Sequence, residues 1–551
     1  QQVEKSGLLD MIDRDLVVTL AGGHDAVGNQ REALDEQAAR DLILSLKGKV
    51  SAFAVSSMFG VRNPAHEIRI RELVEELCNR PVTCGHELAT DLNAPRRALT
   101  VALNARMVPI IRELIEAVRH ILDRLEIDAP LMMVKGNGSL INTKTALRQP
   151  VGTVLSGPAA SVIGARALSG IQDAIIADMG GTTTDIAVIT SGQPELSSDG
   201  VRIGDWKPMV EAVRVISIGL GGDSEVRFSG QTGIEIGPRR AVPMSLLGYL
   251  YPEIVPTLER QLRNNPSRRN NRFALRLEHN DVLMAQCTSD EREAWDLLVD
   301  RPVEMDTLVE TDRQAARAIA RLQRKGLVIY SGFTPSDAAH VLGMSGHWCL
   351  DSARLAALIW ARQMRHVYGL GRWQEDDAEL PSRHVFNRVS HLVSEALIEA
   401  GLHQHDQLDP AHARSLTRLL ADLVYESGDA RRGKPDSGTL FHLNFAADYP
   451  LIGVGAPAST FFPDASERLG VTLKLPEHAE VANAFGAVMG SVMQTARITI
   501  TQPLHGTFIV HGDQGPLSFS SLAAARERAE NIAIEKVREL ASSAGADAVS
   551  Y

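Results

Sequence analysis

The stretch "DMGGTTTDIAVI", Asp178 to Ile189, sets an acid before two glycines, three threonines, a second acid and a β-branched apolar run. With its flanks, "DAIIADMGGTTTDIAVITSGQPEL", it reads as a strand, a glycine turn, a second strand and a Ser-Gly turn, so a hairpin is expected. A tight turn of Gly180 and Gly181 lets backbone N–H groups approach a phosphate with no Cβ in the way. Thr182, Thr183 and Thr184 add hydroxyl donors. Like charges keep Asp178 off the phosphate itself. Its carboxylate instead suits a hydrated Mg²⁺, which takes one or two carboxylates plus phosphate oxygens, or the orienting of an attacking water. A plain β-hairpin turn is the competing reading, because short glycine motifs are weak evidence on their own.

Two further loops change that balance. "GLGGDS" (219–224) and "GVGAPAS" (453–459) are each entered from an apolar strand. Either alone reads as a turn. Three such loops suit a nucleotide held between two lobes, one gripping phosphates, one bordering the ribose and one approaching the adenine. The candidate contacts are Gly221, Gly222, Asp223 and Ser224 in the second loop, and Gly453, Gly455 and Ala456 in the third.

Size and composition set the bounds. The chain has 551 residues, enough for two or three domains. Its 44% hydrophobic and 23% charged residues are ordinary for a globular protein. The net charge of −11 argues against non-specific nucleic-acid binding while leaving room for a local basic patch. Four cysteines, Cys78, Cys84, Cys287 and Cys349, form no C-x-x-C pair, so reduced thiols in a cytoplasmic protein are expected. No 18-residue apolar run calls for a membrane span, and no signal peptide is visible.

Along the chain, "KVSAFAVSSMF" (49–59), the helix "AHEIRIRELVEELC" and "PVTCGHEL" make a strand–helix–strand unit. A longer helix covers about 95–125, and "PLMMVKGNGSL" is a strand meeting a Gly/Asn turn. "LSGPAASVIGARAL" is a small-residue helix, residues 250–290 read as irregular, and 352–431 as mostly helical. A β pair (497–520) and a charged amphipathic helix (521–541) end the sequence. Residues 290–332 have the helix–acidic turn–helix–strand order of a winged helix, with Arg313, Arg317, Arg321, Arg324 and Lys325 on one helix. Nucleic-acid contact through 290–332 needs that face open. The competing reading is an inserted cap whose cations are solvated or ion-paired.

The series "VLSGPAASVIGA", "IIADMGGTTTDIAVI", "ISIGLGGDSEV", "PLIGVGAPAS" and "PEHAEVANAFGAVMGS" resembles the ATPase core of actin, sugar kinases and heat-shock chaperones. More narrowly, "HELATDLNAPRRALTVALNARMVPI", "KGNGSLINTKTALRQPVGTVLSGPAASVIGA", "DMGGTTTD", "SIGLGGDS" and "FTPSDAAHVLG" resemble the hydantoinase A/5-oxoprolinase family. The likeness runs from about 30 to 245 and from about 330 to 495. It implies an α/β, actin-like (ribonuclease H-like) two-lobed ATPase fold carrying a small winged-helix-like insertion. Connecting helices would fall at 157–168 and 480–493, where Ala482, Ala484, Gly486, Ala487 and Gly490 suit a close crossing. The implied domains are a first-lobe segment at 1–130, a second-lobe phosphate-hairpin region at 131–289, the insertion at 290–332, a second-lobe helical region with the adenosine loop at 333–496, and the β pair and helix at 497–551.

The resemblance also implies an activity. ATP, with Mg²⁺ at Asp178, would phosphorylate the carbonyl oxygen of a small cyclic amide such as a hydantoin or 5-oxoproline, and the ring would open. In carboxylase relatives an enolate would be carboxylated instead. A second metal is left unassigned. A hydantoinase B-type subunit is the implied partner, and an oligomer is expected. His86, in "GHEL", would serve as base or metal ligand, and otherwise forms a structural pair with a carboxylate. Asn137, between two glycines, is a candidate amide donor to substrate, or simply a turn former. His24 and Asp25, in "AGGHDAVG", are candidate substrate or metal contacts, or a surface turn capped by the acid. Asp337 is expected as a helix N-cap.

The family begins with an earlier D-x-G-G-T-x-T-D hairpin, and this sequence holds one copy, at 178–185. A fragment whose first hairpin lies upstream of Gln1 is the expected explanation. Loss of that hairpin would put ATP turnover by this chain alone in question. Two alternatives accompany the enzyme reading: an ATP-binding regulatory protein that uses 290–332 to contact DNA or a partner, and a structural subunit without catalysis.

Overall fold

A computed structural model describes residues 7–197, 200–204, 206–230, 233–370, 373–402, 410–431, 445 and 447–546. Residues 371–372 and 403–409, inside the stretch expected to be mostly helical, lie outside the described residues. The chain gathers into two compact units. One holds 1–164, 194–214 and 483–551; the other holds 165–193 and 215–482. The sequence divided the lobes at 130/131. The packing places 131–164 with the first unit, because the hairpin Met132–Val134/Leu140–Asn142 buries Ile141 against Ile111 and Ile115 of the long helix Ala94–Arg124.

The second unit is built on a sheet whose main path runs Val215–Ile218, Thr184–Thr190, Ala174–Met179, Leu451–Val454, Leu473–Lys474. In chain order that is third, second, first, fourth, fifth. The first three strands are antiparallel, and the last two join in parallel. This is the ribonuclease H-like order. The central strands are apolar on both faces, as strands covered on both sides must be. Their side chains enter a core that includes Met179, Ile186, Leu220, Phe333, Trp360, Phe461 and Phe462.

Within the second unit sits a small sheet with the order Val242–Pro243, Val328–Gly332, Phe273–Arg276, Val303–Glu304. The helices Ser289–Asp296, Met305–Thr311 and Arg313–Arg324 pack on it around Trp295, Ile319 and Leu322. The winged-helix order is present, but the middle strand arrives from upstream of the helices. Residues 250–290 therefore hold more structure than expected, including the helix Val255–Arg263. Its Arg- and Asn-rich composition concealed a face on which Leu258 and Gln261 are buried.

In the first unit, Phe53–Val55 and Val82–Cys84 pair in parallel, with the helix Ala65–Cys78 between them in sequence. The fully buried Arg97 donates to the carbonyls of Ser57, Met58 and Asp91. The helix Ala482–Met489 crosses Ser156–Ser169 so closely that a Cβ on Gly486 would lie 1.9 Å from the Ala160 carbonyl oxygen. The small residues read from the sequence serve that approach, although the helix stops before Gly490. The C-terminal β pair is a three-stranded meander, Thr499–Leu504, Thr507–Gly512 and Gly515–Phe519, covered by Leu522–Ala544.

Candidate functional site

The three glycine loops meet at one end of the large sheet, all within the second unit. Strand register brings the acids together. Asp178 lies directly opposite Asp185, and Ser217 directly opposite Asp185 on its other side. Residues opposite each other in antiparallel strands share a face, so both carboxylates and the Ser217 hydroxyl point the same way. Burial raises the Asp185 pKa, and the nearby Asp178 charge adds to that; hydrogen bonds from Ser217 and Thr183 work against it. Two half-buried carboxylates on one face form a place where a cation is favoured.

The second loop grips the hairpin turn through its backbone. Gly222 N donates to Gly180 O at 3.1 Å and Asp223 N to Gly181 O at 2.8 Å. A Cβ on Gly221 would come within 2.4 Å of the Gly181 carbonyl carbon, so only glycine permits this approach. The third loop touches the end of the first strand. Gly455, with φ +91°, would carry a Cβ 2.1 Å from Met179 O and 2.7 Å from an Asp178 carboxylate oxygen. The turn amides of Gly181, Thr182 and Thr183 donate to no protein acceptor among the described residues. Consecutive open amides in a turn form an anion-binding concavity.

Several expected contacts have structural employment instead. The Thr184 hydroxyl is fully buried and donates to Leu220 O at 2.7 Å, which removes it from the phosphate donors. Ser224, also buried, accepts from Gly221 N at 2.9 Å and closes its own loop. Gly453 is a buried strand residue under Phe462. Asp223 pairs with Arg240 at 2.9 Å; burial raises its pKa and Arg240 opposes the rise. Ala456 is exposed at the loop tip. The sequence reading passed over Asp185 and Ser217, although Asp185 stands in the opening motif and strand alternation pairs it with Asp178. It also passed over Ser336, whose N–H donates to Gly222 O at 2.8 Å. The N-cap of the helix Pro335–Val341 is Thr334 and not the expected Asp337, which stands at the third helical position and completes a capping box with it. Its buried carboxylate accepts from Thr334 N, Met244 N and Ser245 N, and burial pushes its pKa up to about 6.

His24, His86 and Asn137 lie in the first unit. His86 Nδ1 is 2.7 Å from Glu67 Oε2, and the buried Glu67 also accepts from His86 N, Ser57 N and Ser57 Oγ. Burial would raise the Glu67 pKa, but these hydrogen bonds bring it below its usual value. His24 is 7% exposed, its ring centroid 4.3 Å from that of His66, and its Nδ1 has no hydrogen-bond partner. Burial and the neighbouring His66 lower its pKa. Asp25 caps its own turn by accepting from Val27 N and Asn29 N. Asn137 Oδ1 accepts from Ser139 N and Ser139 Oγ, and the left-handed position of that turn is Gly138. Among the described residues no group of three or more His, Cys, Asp or Glu is placed to hold a metal ion, and no helix is long and apolar enough to cross a membrane.

The profile of the hydantoinase/oxoprolinase family matches residues 97–247, and that of its N-terminal region matches residues 5–78. Over these two stretches the chain is similar to the hydantoinase/oxoprolinase family. Over 240 residues it is 28% identical to the caprolactamase subunit alpha of Pseudomonas jessenii, a match covering 42% of this chain and 34% of that protein. It is 28% identical over 249 residues to the acetophenone carboxylase gamma subunit of Aromatoleum aromaticum, covering 43% and 34%. The matched stretches thus span about a third of these relatives' length. The crystal structure of the ATP-dependent caprolactamase from Pseudomonas jessenii superposes with a TM-score of 0.55 at 18% identity, covering 96% of this chain and 59% of that one. The fold is of the actin-like type.

Proposed function

We propose that the chain is the ATP-binding part of an enzyme that activates a small cyclic amide, of hydantoin or 5-oxoproline type, for ring opening. The observation that carries this reading is the meeting of three glycine loops, backbone against backbone, beside the Asp178/Asp185 pair. In this reading the Gly181, Thr182 and Thr183 amides donate to phosphate oxygens, and the Thr182 hydroxyl supports them. Gly221, Gly222 and Gly455 hold the walls thin enough for a nucleotide to lie against backbone. The donor set suits Mg²⁺, because two carboxylates on one face are too few for an all-protein cage and fit an ion that shares its shell with water and phosphate. Bound there, the ion would neutralise phosphate charge.

The chemistry asks for activation because amide resonance makes the ring carbonyl a poor electrophile. Transfer of a phosphoryl group to the amide oxygen turns that oxygen into a leaving group. Water can then add at the carbon, the C–N bond opens with the amine nitrogen leaving and an acyl phosphate remaining, and a second water releases the carboxylate and inorganic phosphate. The protein's share is positioning and charge stabilisation. His86, steadied by Glu67, is the proposed acid–base group of the first unit, with His24 and Asn137 as proposed substrate contacts. A B-type partner subunit and a cytoplasmic location complete the reading. The DNA-binding alternative draws less support: Arg321 pairs with Asp290 and Glu291, and Lys325 with Glu291, so part of the basic helix is taken up inside the module.

Asp178→Asn tests the assignment. Amide-dependent ATP hydrolysis should fall at least about a hundredfold, the scale of losing a positioned charge at a phosphoryl-transfer site, with an unchanged circular-dichroism spectrum. Turnover equal to the parent protein's would remove Asp178 from the site.

A further inference from the structure

The long helix Ala94–Arg124 shows two different apolar faces along its second half. Val108, Ile111 and Ile115 are buried in the chain's own core. Beside them a second row stands in solvent: Ile110 is 62% exposed, Leu114 50%, Ile121 46% and Leu125 57%. Ala117 is exposed and Val118 half-buried between them. At about 100° per residue these six positions fall in an arc of about 100°. A contiguous exposed row of large aliphatic side chains marks an association surface.

The order of that row points to what covers it. Read from both ends it is symmetric: Ile110 and Leu125, Leu114 and Ile121, Ala117 and Val118 are equidistant from one centre. When two copies of the helix lie antiparallel about that centre, Ile110 meets Leu125 of the second copy and Leu114 meets Ile121 of the second copy. The smallest pair, Ala117 and Val118, sits in the middle, where the helices come closest. A two-fold axis perpendicular to both helices keeps each flank on its own side. One flank is occupied by the chain's own core. The other carries Glu113, Glu116, His120 and Arg124, all exposed. Antiparallel pairing sets Glu113 near Arg124 of the second copy, offset by about 3 Å along the axis, and Glu116 near His120 of the second copy, offset by about 1.5 Å. A parallel pairing in register would oppose Glu113 to Glu113 and Arg124 to Arg124.

We propose that this face is a homodimer interface: the helix segment 110–125 packs antiparallel against the same segment of a second copy of this chain. The surface lies wholly within the first unit and does not depend on the nucleotide reading.

Sedimentation velocity on the 551-residue chain tests it, together with three sets of variants. The parent chain should be dimeric at about 20 μM, within the affinity range of transient interfaces. Leu114→Glu with Ile121→Glu should give a monomer with unchanged circular dichroism, since both positions are exposed. Glu113→Arg alone and Arg124→Glu alone should each weaken the dimer about tenfold, because each opposes like charges twice, and the double reversal should restore it. Ala117→Cys should cross-link on oxidation, while Leu125→Cys should not. A monomeric parent chain, including one whose stripe binds a different protein instead, overturns the proposal. So does a dimer that survives the Leu114/Ile121 pair, or a double reversal no tighter than either single change.

Discussion

At the scale of single residues, the site rests on positions where a side chain is excluded. Gly455 combines a left-handed backbone with a carbonyl oxygen where its Cβ would be. Gly455→Ala should therefore cost more than about 2 kcal/mol, the left-handed conformation alone accounting for about 1–2. It should also weaken nucleotide binding by moving the end of the Asp178 strand. Urea unfolding and nucleotide titration check both, with Ala456→Gly, one residue on at the exposed tip, as the change expected to leave both nearly unaltered. Residue roles were the least legible part of the sequence. "TTT" offers three hydroxyls of one kind, and only the tertiary position of Leu220 O distinguishes Thr184 from its neighbours. Ser224 sits in a motif that reads as ligand-lining, yet its hydroxyl closes the loop that carries it. Asp185 was legible, because the period of a strand sets it opposite Asp178 once the turn is placed.

At the scale of elements, strong patterns translated directly. The hairpin, the helix Ala65–Cys78, the long helix and the two small-residue helices all form, because each has a clear period or cap that local chemistry fixes. What did not translate was pairing between elements far apart in sequence. The strand Leu473–Lys474 is two residues long and exists through its partner Leu451–Ile452, and Phe273–Arg276 joins a module whose other parts lie downstream. The crossing of Ala482–Met489 over Ser156–Ser169 is a case where composition gave the contact in advance. Asn483 Nδ2 reinforces it by donating to Gly157 O at 2.8 Å. Gly486→Val should cost about 1–3 kcal/mol, as overpacking of a tight contact does, and lower the melting temperature. A melting curve superimposable on the parent's would mean that the helices do not touch there.

At the scale of the whole molecule, the three glycine loops of the second unit meet although Asp178 and Gly455 are separated in sequence by the whole insertion and its helices. Mg²⁺ and a non-hydrolysable ATP analogue should slow amide hydrogen exchange at 178–184, 219–224 and 453–456 together, leaving the meander at 499–519 unchanged. Protection confined to one loop would mean that the three do not share a ligand. The fold class was legible because the order of loops, more than any single loop, carries it. The boundary between units was not, since it depends on which core receives 131–164. The sheet's central pairing has a consequence for biosynthesis. The Asp178 strand gains its hairpin neighbour Thr184–Thr190 soon after it leaves the ribosome and must wait for Leu451–Val454 to supply the other. Until then its open edge is a sticky template, and a nascent chain in that interval should be a preferred client for chaperones that shield unpaired strands.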